Sequence, residues 1–156
     1  MYATMGASMP LLESARLRLF ETFTTVASRH RRAEPAHLSI GRRGELAAYF
    51  YLRHNGYIIV ARGWRSSRLR GDIDLIAWDG DTLCFIEVKT RTTREVATAE
   101  AAVDEDKRRT LRRLASNYRR QLPQKDVTAR FDILSIYFEK EKAAEFELFR
   151  GAFDWS

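Results

Sequence analysis

The sequence predicts an α/β domain, a mixed central β-sheet flanked by helices in the order αβββαββ, with an extra N-terminal helix. Three observations lead there. Short β-branched, apolar stretches alternate with stretches whose apolar residues recur at helical spacing. One Asp-Gly pair, Asp79-Gly80, lies between two of the strands as a hairpin signal. The chain has 156 residues, 45% hydrophobic and 31% charged, which suits one compact domain with a buried core and a tail.

Residues 1–38 read as a helical extension and linker. Pro10 can start a helix, and Leu12, Ala15, Leu19, Phe23 and Val26 follow at helical spacing. Ser28–His37, with three arginines and Pro35, breaks that pattern. This first helix is expected to pack on the body or on a neighbouring chain, which leaves a homodimer open; a basic docking helix is the alternative. The domain proper is residues 39–156. Its first helix follows Gly41-Arg42-Arg43-Gly44-Glu45 and runs to about His54, with Leu46, Ala47, Phe50 and Tyr51 as its apolar face and Gly56 as its stop. Tyr57–Ala61 is a strand by its β-branched run. Arg62–Gly71 is an Arg-rich loop that contains Trp64. Asp72–Trp78 and Thr82–Thr90 are the two strands of the hairpin. After a loop near Thr92–Thr98, a long helix is expected from about Glu100 to Gln121, with the stripe Val103, Lys107, Leu111, Leu114, Ala115, Tyr118 and Leu122, ended by Pro123. Arg130–Phe138 is a further strand and Glu145–Phe149 a short last one.

Composition narrows the function. No apolar run is long enough to span a bilayer, and no basic segment leads into an apolar stretch at the start, so neither a membrane span nor a signal peptide is expected. Cys84 is the sole cysteine, and His30, His37 and His54 have no cysteine at ligand spacing, which argues against a disulfide scaffold or a zinc module. A cytoplasmic protein is the default expectation. The 27 basic residues, mostly arginine, fall in blocks. Residues 41–71 and 107–120 are basic, and residues 72–106 between them are acidic. Solvated surface explains such blocks in most proteins. They also suit a phosphodiester enzyme, with basic flanks for phosphates and an acidic centre for a divalent cation.

The chemistry concentrates in the hairpin. Alternation puts Glu87 and Lys89 on one strand face, with Cys84, Ile86 and Val88 on the other. With Asp79-Gly80 as a two-residue turn, Asp74 falls opposite Phe85 and Asp72 opposite Glu87. Asp74 and Glu87 are then diagonal neighbours on one face, roughly 7–8 Å apart at Cα. A three-residue turn would send them to opposite faces. Two carboxylates and a backbone carbonyl make a hard oxygen set for Mg²⁺, with Mn²⁺ able to substitute. A lysine two residues on shares the face and could orient the attacking water or neutralise transition-state charge. An exposed sheet face with alternating charges has the same pattern.

Several strings then occur in a characteristic order: Glu45 after Gly-Arg-Arg-Gly, Gly56-Tyr57, Trp64-Arg65, Gly71-Asp72-Ile73-Asp74-Leu75-Ile76-Ala77, Glu87-Val88-Lys89-Thr90-Arg91, Ala102-Val103 with Lys107, and Arg130-Phe131-Asp132. From about residue 39 onward the chain resembles the YraN family of small bacterial proteins, which looks like a branch of the PD-(D/E)XK restriction-endonuclease-like superfamily, near Holliday-junction resolvases. The resemblance implies that fold and a nuclease's metal site. Asp74 would be the motif aspartate, Glu87 and Lys89 the (D/E)XK pair, the Val88 carbonyl a further ligand, and Glu45 a helix-borne acid at the metal. Lys107 and Arg91 would contact phosphate. Asp72 stands where the family usually has Glu, Gly63 where it has Asn, and the loop Arg65–Gly71 is slightly long. The helix over 10–27 lies outside the family pattern.

The remaining candidates have plain alternatives. Glu45 suits a helix N-terminus on electrostatic grounds alone. Lys107 interrupts an apolar stripe and either snorkels to its edge or points at the site. Arg62, Arg65, Arg68 and Arg70 with Trp64 suit either a nucleic-acid loop or a solvated one. Arg42, Arg43, Arg91 and Arg108 complete the basic surface expected to meet nucleic acid, DNA in the first place. Asp132 is expected to make a structural hydrogen bond. No Ser, Thr or His pairs with a base as a nucleophile. Three functions compete: a Mg²⁺-dependent endonuclease acting on structured (branched) or damaged DNA, a non-cleaving nucleic-acid-binding protein of the same fold, and a binding module for an acidic protein.

Overall fold

The computed structural model of the chain describes residues 36–92 and 103–156. The helix expected over 10–27, its linker up to Pro35, and the loop near Thr92–Thr98 beyond its first residue lie outside the described residues, as does the expected start of the long helix. The elements are α1 (Ala36–His54), β1 (Ile58–Trp64), β2 (Ile73–Asp79), β3 (Thr82–Arg91), α2 (Glu105–Arg120), β4 (Ala129–Tyr137) and β5 (Glu145–Phe153). Their order is αβββαββ. One five-stranded mixed sheet runs β1-β2-β3-β4-β5. All neighbours are antiparallel except β3 and β4, which are parallel because α2 returns the chain across the sheet.

Each helix covers one face. The core on the α1 side joins Ala47, Ala48, Tyr51 and Leu52 to Leu75, Ala77, Cys84, Ile86, Leu134 and Ile136. The core on the α2 side joins Leu111, Leu114 and Ala115 to Ile76, Leu83, Phe85, Phe131 and Ile133. Central strands buried on both faces read as continuous apolar runs, as β2, β3 and β4 do. The apolar face of α1 differs from expectation. Leu46 and Phe50 are only half-buried, while Ala48 and Leu52 are fully buried. Two alanines and a glycine let the helix lie close to the sheet. At Gly44 a Cβ would stand 1.8 Å from Thr90 Oγ1 and 3.0 Å from Thr90 Cβ, so any side chain there would push α1 off the end of β3. Gly44→Ala is therefore expected to cost about 1–3 kcal/mol in urea unfolding, the usual range for overpacking.

Four boundaries depart from the sequence reading. Helix α1 begins at Ala36, inside the stretch read as linker, directly after Pro35, a residue suited to a helix start. Strand β1 runs on to Trp64, with a bulge between Ile59 and Ala61. Trp64 is thus not in the Arg-rich loop. It is half-buried and packs edge-to-face on Tyr118 at 5.3 Å, against the edge of the core. Helix α2 starts at Glu105 because Asp104 caps it, its side chain accepting from the Lys107 N–H at 2.8 Å. Strand β5 reaches Phe153 rather than Phe149: Gly151, at φ 61, makes a bulge and donates its N–H to Asp132 Oδ1 at 2.9 Å.

Among the described residues no helix is long and apolar enough to cross a membrane.

Candidate active site

The hairpin register is the first determinant of the site. Asp79 pairs with Thr82, Trp78 with Leu83, and so on to Leu75 with Ile86. The turn is therefore Gly80-Asp81, not Asp79-Gly80. Gly80 takes φ 56 in the first turn position, where a type II′ turn wants glycine. Asp79 stays in the strand, where Arg130 Nη2 holds its carboxylate at 2.6 Å. The expected pairings of Asp74 with Phe85 and of Asp72 with Glu87 are thus replaced. The last pair is Leu75–Ile86, and the same register carried one residue further sets Asp74 against Glu87. The pairing has moved by two residues in all, an even number, so the two carboxylates still share a face.

That face is the one toward α2, at the C-terminal end of β3. Glu87 is 4% exposed, one of the few buried charged groups of the sheet. Lys89 Nζ lies 3.0 Å from Glu87 Oε1, and Lys107 Nζ, reaching down from the first turn of α2, lies 3.0 Å from Oε2. The contact to Oε2 is an ion pair only, because that buried oxygen receives no well-directed hydrogen bond. Lys107 therefore points into the site rather than snorkelling away from it. Asp74 Oδ2 accepts the Val88 N–H at 2.7 Å. It caps a backbone group left unpaired where the β2–β3 ladder stops. In an extended strand the N–H and C=O of a residue point to the same side, so the Val88 carbonyl faces this edge too.

The Asp74 carboxyl is pushed up to about 7. Burial is the main cause, followed by the charge of Glu87; the Val88 N–H and Lys107 pull the other way, and Glu45 adds a further raising charge. The Lys107 ammonium is also raised: burial works against its charge, but Glu87, Asp74 and Asp72 outweigh it. A carboxyl raised in the fold binds its proton more tightly there than in the unfolded chain, where its value is near 3.8. Stability from this group is therefore full below about pH 4 and is lost as pH rises toward 7. The metal-free protein is expected to melt roughly 3–8 °C lower at pH 8 than at pH 5.5, and Asp74→Asn to remove that difference.

The other predicted residues are distributed around this centre. Glu45 is exposed on α1, beside the Gly44–Thr90 contact, and reaches Asp74 through its charge. Arg42 and Arg43 are exposed three and two residues before it on the same helix, and Arg43 lies 4.2 Å over the Phe138 ring. Arg68 and Arg70 are exposed in the loop before β2. That loop is seated on α2, since Gly71 lies against Thr110, one turn beyond Lys107. Arg65 is pinned within the loop by Asp72, at 3.2 Å, although its side chain is 76% exposed. Arg91 is half-buried with its Nε unpartnered, two residues beyond Lys89 on the same strand face. Arg108 differs most from expectation. Its Nε donates to the Val103 carbonyl at 2.9 Å and its guanidinium lies over Phe153, so it braces α2 against the body.

A second polar cluster occupies the opposite end of the sheet. Arg130 Nε donates to both oxygens of the fully buried Asp132, at 2.9 and 3.1 Å, and Nη2 reaches Asp79 and the Tyr57 hydroxyl. Asp132 has the structural role read from the sequence. Its partner Arg130 was missed, although arginine two residues before an acid on a central strand was the available signal. The Cys84 thiol beside this cluster is pushed up to about 12, by burial first and by Asp132 next, so it is no nucleophile.

A sequence model of the uncharacterised protein family UPF0102 matches residues 44–136. Asp74, Glu87, Lys89 and Lys107 fall inside that span. A UPF0102 protein of Koribacter versatilis is 53% identical over 77% of this chain and 82% of its own length. One from Solibacter usitatus is 42% identical over 72% of this chain and 84% of its own. A third, from Parafrankia, is 40% identical over 73% and 95%.

Proposed function

The chain belongs to the uncharacterised protein family UPF0102, and on that premise we propose that it is a metal-dependent nuclease that hydrolyses phosphodiester bonds in DNA, built on a PD-(D/E)XK-like core. One observation carries the reading. Asp74 and Glu87 share one face of adjacent central strands, Glu87 buried and Asp74 half-buried, with Lys89 on the same face at 3.0 Å from Glu87. Burying two like charges side by side destabilises a fold unless something else gains by it, and sites that bind cations are where such arrangements occur.

The residues fit Mg²⁺ or Mn²⁺. The donor set is hard oxygen, Glu87 Oε2 lacks a directed hydrogen bond, and burial and the neighbouring Glu87 both raise the Asp74 carboxyl, a cost that a bound cation would relieve. Asp74, Glu87 and the Val88 carbonyl would hold the ion. Among the described residues no three His, Cys, Asp or Glu side chains form a ready cage, so water and a phosphate oxygen would complete the shell. Glu45, exposed on α1, would add its negative charge to the field at the ion. When bound, the ion would polarise a phosphate oxygen and lower the pKa of its water. Lys89 keeps Glu87 oriented and adds positive charge beside the reacting phosphate. Arg68 and Arg70, with Arg42, Arg43 and Arg91, would take backbone phosphates on either side.

The experiment is a cleavage panel with Mn²⁺ on branched, flapped, single-stranded and duplex DNA. Metal-dependent cutting of at least one member is expected. DNA affinity should fall steeply between 50 and 200 mM salt, and Arg68→Ala with Arg70→Ala should flatten that slope by about two phosphates. Binding without cleavage would move the reading to a nucleic-acid-binding protein, and affinity unchanged by salt would remove the phosphate surface.

A further inference from the structure

Lys107 is delivered to the site by its helix. Asp104 caps α2 through the Lys107 N–H, which sets Lys107 in the first turn, and side chains there lean back toward the helix N-terminus. The ammonium then stands 3.0 Å from Glu87 Oε2. Lys89 already serves Oε1. A single buried carboxylate therefore has a cation on each oxygen. The one on Oε2 is held by charge without a directed hydrogen bond, and its side chain is 28% exposed, so water can take over its solvation on release. Lys107 also acts on Asp74 through its charge, so it stands where a divalent ion shared by Asp74 and Glu87 would bring its own. An ammonium and a dication on the same oxygen repel strongly in a site withdrawn from water.

We infer that Lys107 is a placeholder cation, neutralising Glu87 in the metal-free protein and giving up Oε2 when a divalent cation binds. The inference rests on the metal site proposed above and changes what Lys107 does in it. Lys107 contacts phosphate only after release, so cation binding and polyanion binding reinforce each other through one side chain.

Calorimetric titration of Mn²⁺ into wild type, Lys107→Met, Lys107→Arg and Asp74→Asn tests it, with melting curves as a check on folding. Lys107→Met is expected to bind Mn²⁺ about 5–50-fold more tightly than wild type, the effect of removing one close charge from a buried carboxylate. Lys107→Arg, which keeps the charge, is expected within about threefold of wild type. Lys107→Gln is the second uncharged variant. Equal or weaker binding by the uncharged variants, with wild-type binding intact and lost in Asp74→Asn, would overturn the placeholder role and leave the metal site standing. No Mn²⁺ binding by wild type or by the uncharged variants would overturn both. Failure of both uncharged variants to fold would also overturn the inference, because a displaceable cation cannot be required for folding.

Discussion

Asp74→Asn is expected to abolish Mn²⁺ binding and lower single-turnover cleavage by roughly 10³-fold or more, while leaving the protein at least as stable as wild type at pH 8. The substitution is nearly isosteric. Its amide oxygen can still accept the Val88 N–H that Asp74 Oδ2 takes at 2.7 Å. It removes the charge that burial and Glu87 disfavour. Stability and activity should therefore move apart, which simple damage to the fold would not produce. Lys89→Ala is the necessary companion. Lys89 is a partner of Glu87, not a ligand, so metal affinity should persist while turnover falls by roughly 10²–10⁴-fold. Single-turnover rates at saturating Mn²⁺ decide the matter. Equal rates for wild type and Lys89→Ala would take Lys89 out of the chemistry.

The second large effect lies in the fold. Arg130→Met should destabilise the protein by about 3–5 kcal/mol, because it strands a carboxylate rather than merely removing a contact. Asp132 is fully buried, and Arg130 supplies the charge that faces it; what remains is chiefly the Gly151 N–H. Asp79 and Tyr57 lose the same guanidinium. Burial already raises the Asp132 carboxyl, and Arg130 opposes that rise. Without Arg130 it rises further, so the variant should lose stability as pH increases, faring better at pH 5 than at pH 8. Adding Asp132→Asn should recover much of the loss by removing the stranded charge. Urea unfolding of the wild type and both variants at both pH values measures this. Full stability in Arg130→Met alone would show that the cluster does not tie β4 to the hairpin.

Much was legible in the sequence wherever the governing physics is local. The order of elements followed from period and punctuation, and Glu87 and Lys89 were bound to share a face because a strand alternates strictly. The placement of Asp74 on that face survived an incorrect turn for the same reason: the pairing moved by two residues, and only an odd shift changes faces. The Asp-Gly signal located the hairpin, but not which residue opened its turn. That depended on Arg130, distant in sequence, holding Asp79 in the strand. Trp64 falls in the Arg-rich stretch of the sequence, and only the extension of β1 and the packing on Tyr118 set it against the core. The last strand reads only to Phe149 in the sequence, and the Gly151 N–H held by Asp132 accompanies its continuation to Phe153. Lys107 in an apolar stripe was ambiguous on its helix alone, and the approach of α2 to β3 chose the carboxylate over the solvent. Side-chain alternation is a property of each strand and can be read from the chain. Register, burial and the pairing of charges depend on groups brought together from remote positions, and their energies exist only once the sheet and its two helices have assembled.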